Sequence, residues 1–202
     1  MSKDVILPRS YYLRDDVVLM ARDLLGKVLL TRKEGSLTSG IISETEAYKG
    51  IVDRASHSFG GRRTGRTEVM YATGGTAYIY LCYGVHSLFN VVTNKKDIPD
   101  AVLIRGIIPL EGINIMQQRT GKKITSGQFT SGPGKVAKAL GIHYSDSGTD
   151  LTGRRSDNRS VKIWIEDRGI LVDFDRVSVT PRIGIQYAGE DALLPWRFLW
   201  NK

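Results

Sequence analysis

The sequence predicts a single α+β domain over residues 1–202: a mostly antiparallel, curved β-sheet with surrounding helices and a protruding β-hairpin. Three observations carry that expectation. Short runs of β-branched and aromatic residues recur along the chain with few helical segments between them. They show none of the regular strand–helix alternation that builds a parallel sheet. Residues 76–90 alternate aromatic and aliphatic side chains around a glycine, the pattern of a hairpin with Tyr83 and Gly84 near its tip. Finally, 202 residues that are 41% hydrophobic and 25% charged suffice for one substantial core, and no repeat, low-complexity tract or linker divides them.

The elements follow in order. Residues 1–13 read as an arm interrupted by Pro8, with Tyr11, Tyr12 and Leu13 placed to dock on the core. Asp15 or Asp16 can cap the next helix, in which Val17, Met20, Ala21, Leu24 and Leu25 recur on one face until Gly26 closes it. Residues 27–32 and 38–48 read as two strands joined by a loop holding Lys33, Glu34, Gly35 and Ser36. The stretch 49–75 has little periodicity, several glycines and arginines at 54, 62, 63 and 66; long ordered loops in compact domains are often functional. After the hairpin, Asn94 to Asp97 form a polar turn, and residues 101–108 an apolar strand broken by Arg105. Pro109 suits the first turn of a helix reaching about Arg119, and Gly121, Lys122 and Lys123 make a basic loop. Ser131, Gly132 and Pro133 open a further helix with Val136, Ala137 and Leu140 inward and Gly141 at its end. Its free amide groups suit a phosphate as well as they suit a plain cap. Residues 144–160 are polar and carry little functional signal, and 163–165, 170–173 and 177–179 read as short strands.

A formal charge of +8 makes nucleic acid the leading class of partner, because excess Lys and Arg attract polyanions and release counterions from a phosphate backbone. The single Cys82 excludes an internal disulfide and points to a reducing, cytoplasmic compartment. No apolar run long enough to span a membrane and no secretory leader are recognisable, so no membrane partner is expected. Cys82 and His86 lie four apart without a second pair of ligands, which argues against zinc, and no metal site is expected. Cys82 is also a weak nucleophile candidate, since its hydrophobic neighbours suggest a buried thiol. No glycine-rich loop ends in the Lys-Ser/Thr pair of a nucleoside-triphosphate site.

The chemistry concentrates in Glu44-Thr45-Glu46-Ala47-Tyr48 and in the run Ala55 to Arg63 that contains His57. Strand alternation places Ile42, Glu44, Glu46 and Tyr48 on one face. A carboxylate two residues from an aromatic ring, with a His and an Arg- and Gly-rich loop downstream, suits a site that grips something flat and anionic. Two other readings compete. Glu44 and Glu46, about 7 Å apart along the strand, overlap the spacing of an inverting sugar hydrolase, which leaves the basic charge unexplained. A non-catalytic nucleic-acid module would use the aromatics for stacking and leave the embedded carboxylate without a purpose.

Together with Thr76 to Asn90, these stretches resemble the alkyladenine (3-methyladenine) DNA glycosylase family. The resemblance continues through Ala101 to Arg105, Ser131 to Lys135, Arg182 to Ile185 and Pro195 to Phe198, and thins in residues 144–160. It implies a monomeric DNA-repair enzyme, free of metal and organic cofactor, that removes alkylated or deaminated purines from double-stranded DNA. Such an enzyme would work at the nucleoid in a prokaryote and in the nucleus in a eukaryote. By the same resemblance Glu46 is the base that activates water, Arg105 an arginine at that water and the neighbouring phosphate, and Ile183 a backbone position that helps hold it. Tyr48 lies on one side of the extruded base and His57 with Tyr80 on the other. Asn90 crowds the exocyclic amine of guanine, and Tyr83 is inserted where the nucleotide left the stack. Glu44 is expected to hydrogen-bond nearby backbone, and Tyr78 and Trp196 to be core residues. Met70, His86 and Leu103 sit at groove-facing positions without an assigned role.

Overall fold

The computed structural model describes residues 5–122, 129–153 and 161–201. Residues 1–4 of the expected arm, Lys123 of the basic loop and residues 154–160 of the polar stretch lie outside the described residues. In chain order, β1 (Val5–Ile6), α1 (Arg9–Tyr12) and α2 (Val17–Asp23) precede a hairpin of β2 (Val28–Lys33) and β3 (Ser36–Tyr48). A second hairpin, β4 (Ala77–Cys82) and β5 (His86–Thr93), leads into β6 (Asp100–Glu111). Helices α3 (Ile113–Thr120) and α4 (Pro133–Leu140) follow, then β7 (Val161–Asp167), β8 (Val177–Thr180) and β9 (Arg197–Trp200).

The strands form one curled sheet in the order β1-β7-β2-β3-β6-β5-β4, with β9 joining β3 and β8 lying outside β9. The strand pairings are antiparallel, as an α+β chain with hairpin connections requires. The sheet and helices α2, α3 and α4 enclose the main core, in which Tyr12, Met20, Leu24, Ile104, Met116 and Leu140 are completely buried. Helix α2 starts where Asp16, the second of the two candidate caps, accepts the amides of Val18 and Leu19 at 2.9 Å each. Gly26 ends that region at φ 77°, and a Cβ there would sit 2.6 Å from Val172.

Strand β3 positions the site. Its first half lies between β2 and β6; from Glu44 to Glu46, β9 replaces β2 as the neighbour. Ser43 and Arg105 have no partner in the β3–β6 ladder, which steps from Ile42↔Ile107 to Glu44↔Gly106 to Thr45↔Ile104. Such an irregularity re-aims side chains. Ile42 consequently packs in the core rather than sharing a site face with Glu44, Glu46 and Tyr48, which corrects the strict alternation expected from sequence.

Two elements differ from expectation. Pro109 does not open a helix: it lies within β6, partnered with Gly40 at a register shift, and α3 begins only at Ile113. The fixed φ of proline suits an extended chain, and an irregular ladder position tolerates its missing N–H. Residues 170–173 are not a strand, although Ile170 and Val172 pack against the core while Leu171 is exposed. The loop 49–75 carries three short 3-10 turns. Among the described residues no helix is long and apolar enough to cross a membrane.

Candidate active site

Glu46 projects from the stretch of β3 held between β6 and β9, and its side chain is fully buried. Oε1 accepts the Ile183 N–H at 2.8 Å and lies 3.4 Å from Arg105 Nε, while Oε2 accepts the Tyr48 hydroxyl at 2.9 Å. One pleat earlier, Glu44 Oε1 accepts Nε of Arg105 at 3.1 Å and Nε of Arg197 at 2.6 Å. Glu44 thus holds two guanidinium groups rather than nearby backbone, because β6 and β9 converge on it and bonds between ions outcompete neutral ones. Gly106 permits that approach: a Cβ there would lie 2.9 Å from Glu44 Cβ.

A cavity of about 480 Å³ opens beside this cluster. Tyr48, Arg105 and Ile183, whose polar groups meet the Glu46 carboxylate, all line it. So do His57, Tyr80 and Asn90, which brings every base-pocket residue expected from sequence to one place. His57 and Tyr80 meet edge to face with ring centroids 4.6 Å apart. The amide nitrogen of Asn90 donates to the carbonyls of Tyr78 and Leu88 at 3.1 and 3.3 Å, which fixes the orientation of its side chain. Met70 and Leu103 are further lining residues, whereas His86 is exposed on the hairpin against Gly134.

Tyr83 stands at the rim on the β4–β5 turn, 92% exposed, with the flanking Leu81 and Val85 also exposed. The turn closes by a bond from Val85 N–H to Cys82 O, and both central residues have positive φ, 50° at Tyr83 and 71° at Gly84. Hairpin turns of that shape favour Asn or Gly at the first of those positions, so the tyrosine is held in a disfavoured backbone well. Cys82, expected to be buried, is only half-buried because it lies so close to this tip.

Burial raises the pKa of Glu46 above its ordinary 4.5; Arg105, the Ile183 amide and the Tyr48 hydroxyl oppose the shift, and Glu44 adds to it. Desolvation also raises Tyr48 well above 10. His57 moves the other way, down to about 4, through burial first and then the positive charges of Arg66 and Arg62. The imidazole is therefore neutral near pH 7, and its Nδ1 lies 2.8 Å from the Tyr78 hydroxyl. Tyr78 is a core residue as expected, yet it also orients His57.

Sequence reasoning missed the support behind Tyr48. The Arg182 guanidinium lies 4.8 Å from the Tyr48 ring centroid and 5.0 Å from that of Trp196, and makes two bonds to Asp53, at 2.5 and 2.9 Å. Both members of that pair are fully buried. Asp53 also receives the backbone amides of Lys49 and Ala55, so one ion pair ties the start of the long loop to the Tyr48 ring. Arg182 opened a recognised stretch without an assigned role, and a partner 129 residues away has no local signature. Among the described residues, no group of three His, Cys, Asp or Glu side chains could hold a metal ion.

Comparison with known proteins shows the family. The family model described as methylpurine-DNA glycosylase matches residues 10–202. A protein of Chlamydia felis (strain Fe/C-56) is 47% identical over 197 residues, 97% of this chain and 96% of its own. Relatives from Desulfitobacterium hafniense (strain Y51) and Bacillus thuringiensis (strain Al Hakam) are 43% and 42% identical over 199 residues each. They cover 95% and 96% of this chain and 93% and 95% of their own lengths. Each of the three bears 3-methyladenine DNA glycosylase as an assigned name. Matched over nearly its whole length by the family model and by these relatives, the chain belongs to the methylpurine-DNA glycosylase family, hydrolases of N-glycosyl bonds.

Proposed function

We propose that the enzyme acts as a cytoplasmic monomer on duplex DNA, extruding alkylated or deaminated purines and hydrolysing their N-glycosidic bond with a water activated by Glu46. One observation carries the reading: a buried carboxylate, held by a hydroxyl, an amide and a guanidinium, adjoins an aromatic-walled cavity of about 480 Å³. Burial makes the carboxylate a stronger base than an exposed glutamate, while Arg105 and the Ile183 amide keep it ionisable. The oxygen of water attacks the anomeric carbon, Glu46 takes the proton, and the purine leaves with the electrons of the broken C–N bond. An alkylated cationic purine departs as a neutral base, and a neutral deaminated purine departs as an anion that takes up a proton from solvent.

Tyr48 on one side and His57 with Tyr80 on the other would stack the extruded base and recover part of the unstacking energy. Tyr83 would fill the gap in the duplex, a role that fits an exposed aromatic on a turn. Asn90, fixed by two backbone carbonyls, would crowd the exocyclic amine that distinguishes guanine from hypoxanthine.

The test is an excision assay on duplexes carrying hypoxanthine, ethenoadenine or an alkylated purine, with sodium borohydride in a parallel reaction. Release of damaged purine without a trapped protein–DNA adduct is the expected result. A trapped adduct would mean an amine nucleophile in place of water.

A further inference from the structure

Two guanidinium groups lie against aromatic rings of the cavity, and among the described residues only Arg182 has a carboxylate partner. Behind Tyr48, Arg182 is met by the buried Asp53. At the other stack, the Arg66 Cζ lies 5.2 Å from the Tyr80 ring centroid and its Nη2 3.5 Å from His57 Nε2. Arg66 is exposed, lines the cavity, and among the described residues no carboxylate lies within ion-pair distance of it.

We propose that Arg66 is a specificity-determining residue that biases the pocket toward neutral damaged purines and against purines carrying a positive charge on the ring. The inference rests on the reading that the cavity holds an extruded base against His57 and Tyr80. Two physical effects act in the same direction. A cationic base stacked there meets a like charge only one ring away. It also needs an electron-rich ring face, and Arg66 already draws on the π-system of Tyr80. A neutral hypoxanthine or ethenoadenine is spared both effects. With His57 itself neutral, the fixed positive charges at this stack are Arg66 and, with a smaller effect on His57, Arg62.

The test measures single-turnover excision of a cationic lesion, N7-methylguanine, and a neutral one, hypoxanthine, by wild type, Arg66→Gln and Arg66→Lys. The ratio of the two rates is independent of how much of each preparation is folded. Arg66→Gln should raise the cationic-to-neutral ratio by roughly three- to tenfold at low salt, with the gain shrinking as ionic strength rises. Arg66→Lys, which keeps the charge, should stay near the wild-type ratio. An unchanged ratio, or equal losses on both lesions as a phosphate contact would give, overturns the inference. If wild type releases neither base, the glycosylase reading of this pocket falls, and the inference falls with it.

Discussion

Glu44 and Glu46 are the same residue type two positions apart, yet their surroundings give them different work. Glu44 binds Arg105 and Arg197 through one oxygen, whereas Glu46 meets Arg105 at 3.4 Å and is otherwise held by neutral groups. Glu44→Gln would leave the two guanidinium groups sharing a neutral oxygen. It should cost roughly 1–3 kcal/mol of stability, and activity should fall by about tenfold through a loosened Arg105. Denaturant melts and single-turnover rates check both parts. Glu46 carries a further signature in pH. Its folded-state pKa is raised, so between 4.5 and that value the native state holds a proton the unfolded chain has lost. Stability must therefore fall as pH rises through that window. Glu46→Gln removes the fall, since its amide can donate to Tyr48 while its oxygen accepts Ile183. The variant should melt a few degrees above wild type at neutral pH and level with it at pH below 4.5, where both side chains are uncharged. A Glu46→Gln variant that melts well below wild type at pH 7 would show that the buried carboxylate is a structural ion rather than a strained base.

At the scale of elements, the β4–β5 hairpin makes a prediction in which stability and activity separate. Tyr83 sits at φ 50° in a turn that prefers glycine, so Tyr83→Gly relieves backbone strain while deleting an exposed ring. Thermal stability should hold or rise by up to about 1 kcal/mol. On the proposed wedge role, excision from paired DNA should drop roughly tenfold or more, because a flipped state would lose the group that fills the gap. Equal activity would make Tyr83 a surface aromatic. This hairpin and the Glu46-to-Tyr48 end of β3 were legible in sequence because their signals are local: alternation, a turn glycine and a motif compressed into five residues. Elsewhere, local signals misled. Pro109 has the chemistry of a helix start, but the continued pairing of β6 with β3 overrides it. The apolar run 170–173 resembles a strand, yet it packs on Gly26 and the core without becoming one. The partners of Glu44 and Arg182 could not be read either: the former pairs across 61 and 153 residues, the latter across 129.

For the whole molecule, the topology makes a site that no single segment contains. Strand β3 brings Glu46, β6 brings Arg105 and β9 brings Arg197, while the segment before the final 3-10 turns supplies the Ile183 amide. A rigid sheet thus holds Glu46, the proposed base, a loop and a hairpin carry the groups that would touch DNA, and the net charge of +8 would draw a duplex in. The proposed mechanism turns on one carboxylate activating water. Single-turnover excision and lesion-DNA titration of Glu46→Gln, run beside Glu44→Gln, test it most directly. Glu46→Gln should lose about 10²-fold or more in rate. Its binding should survive or tighten, since a negative charge near phosphates is gone, and Glu44→Gln should lose much less rate. A fully active Glu46→Gln, or equal large losses in the two variants, would contradict the single-base mechanism.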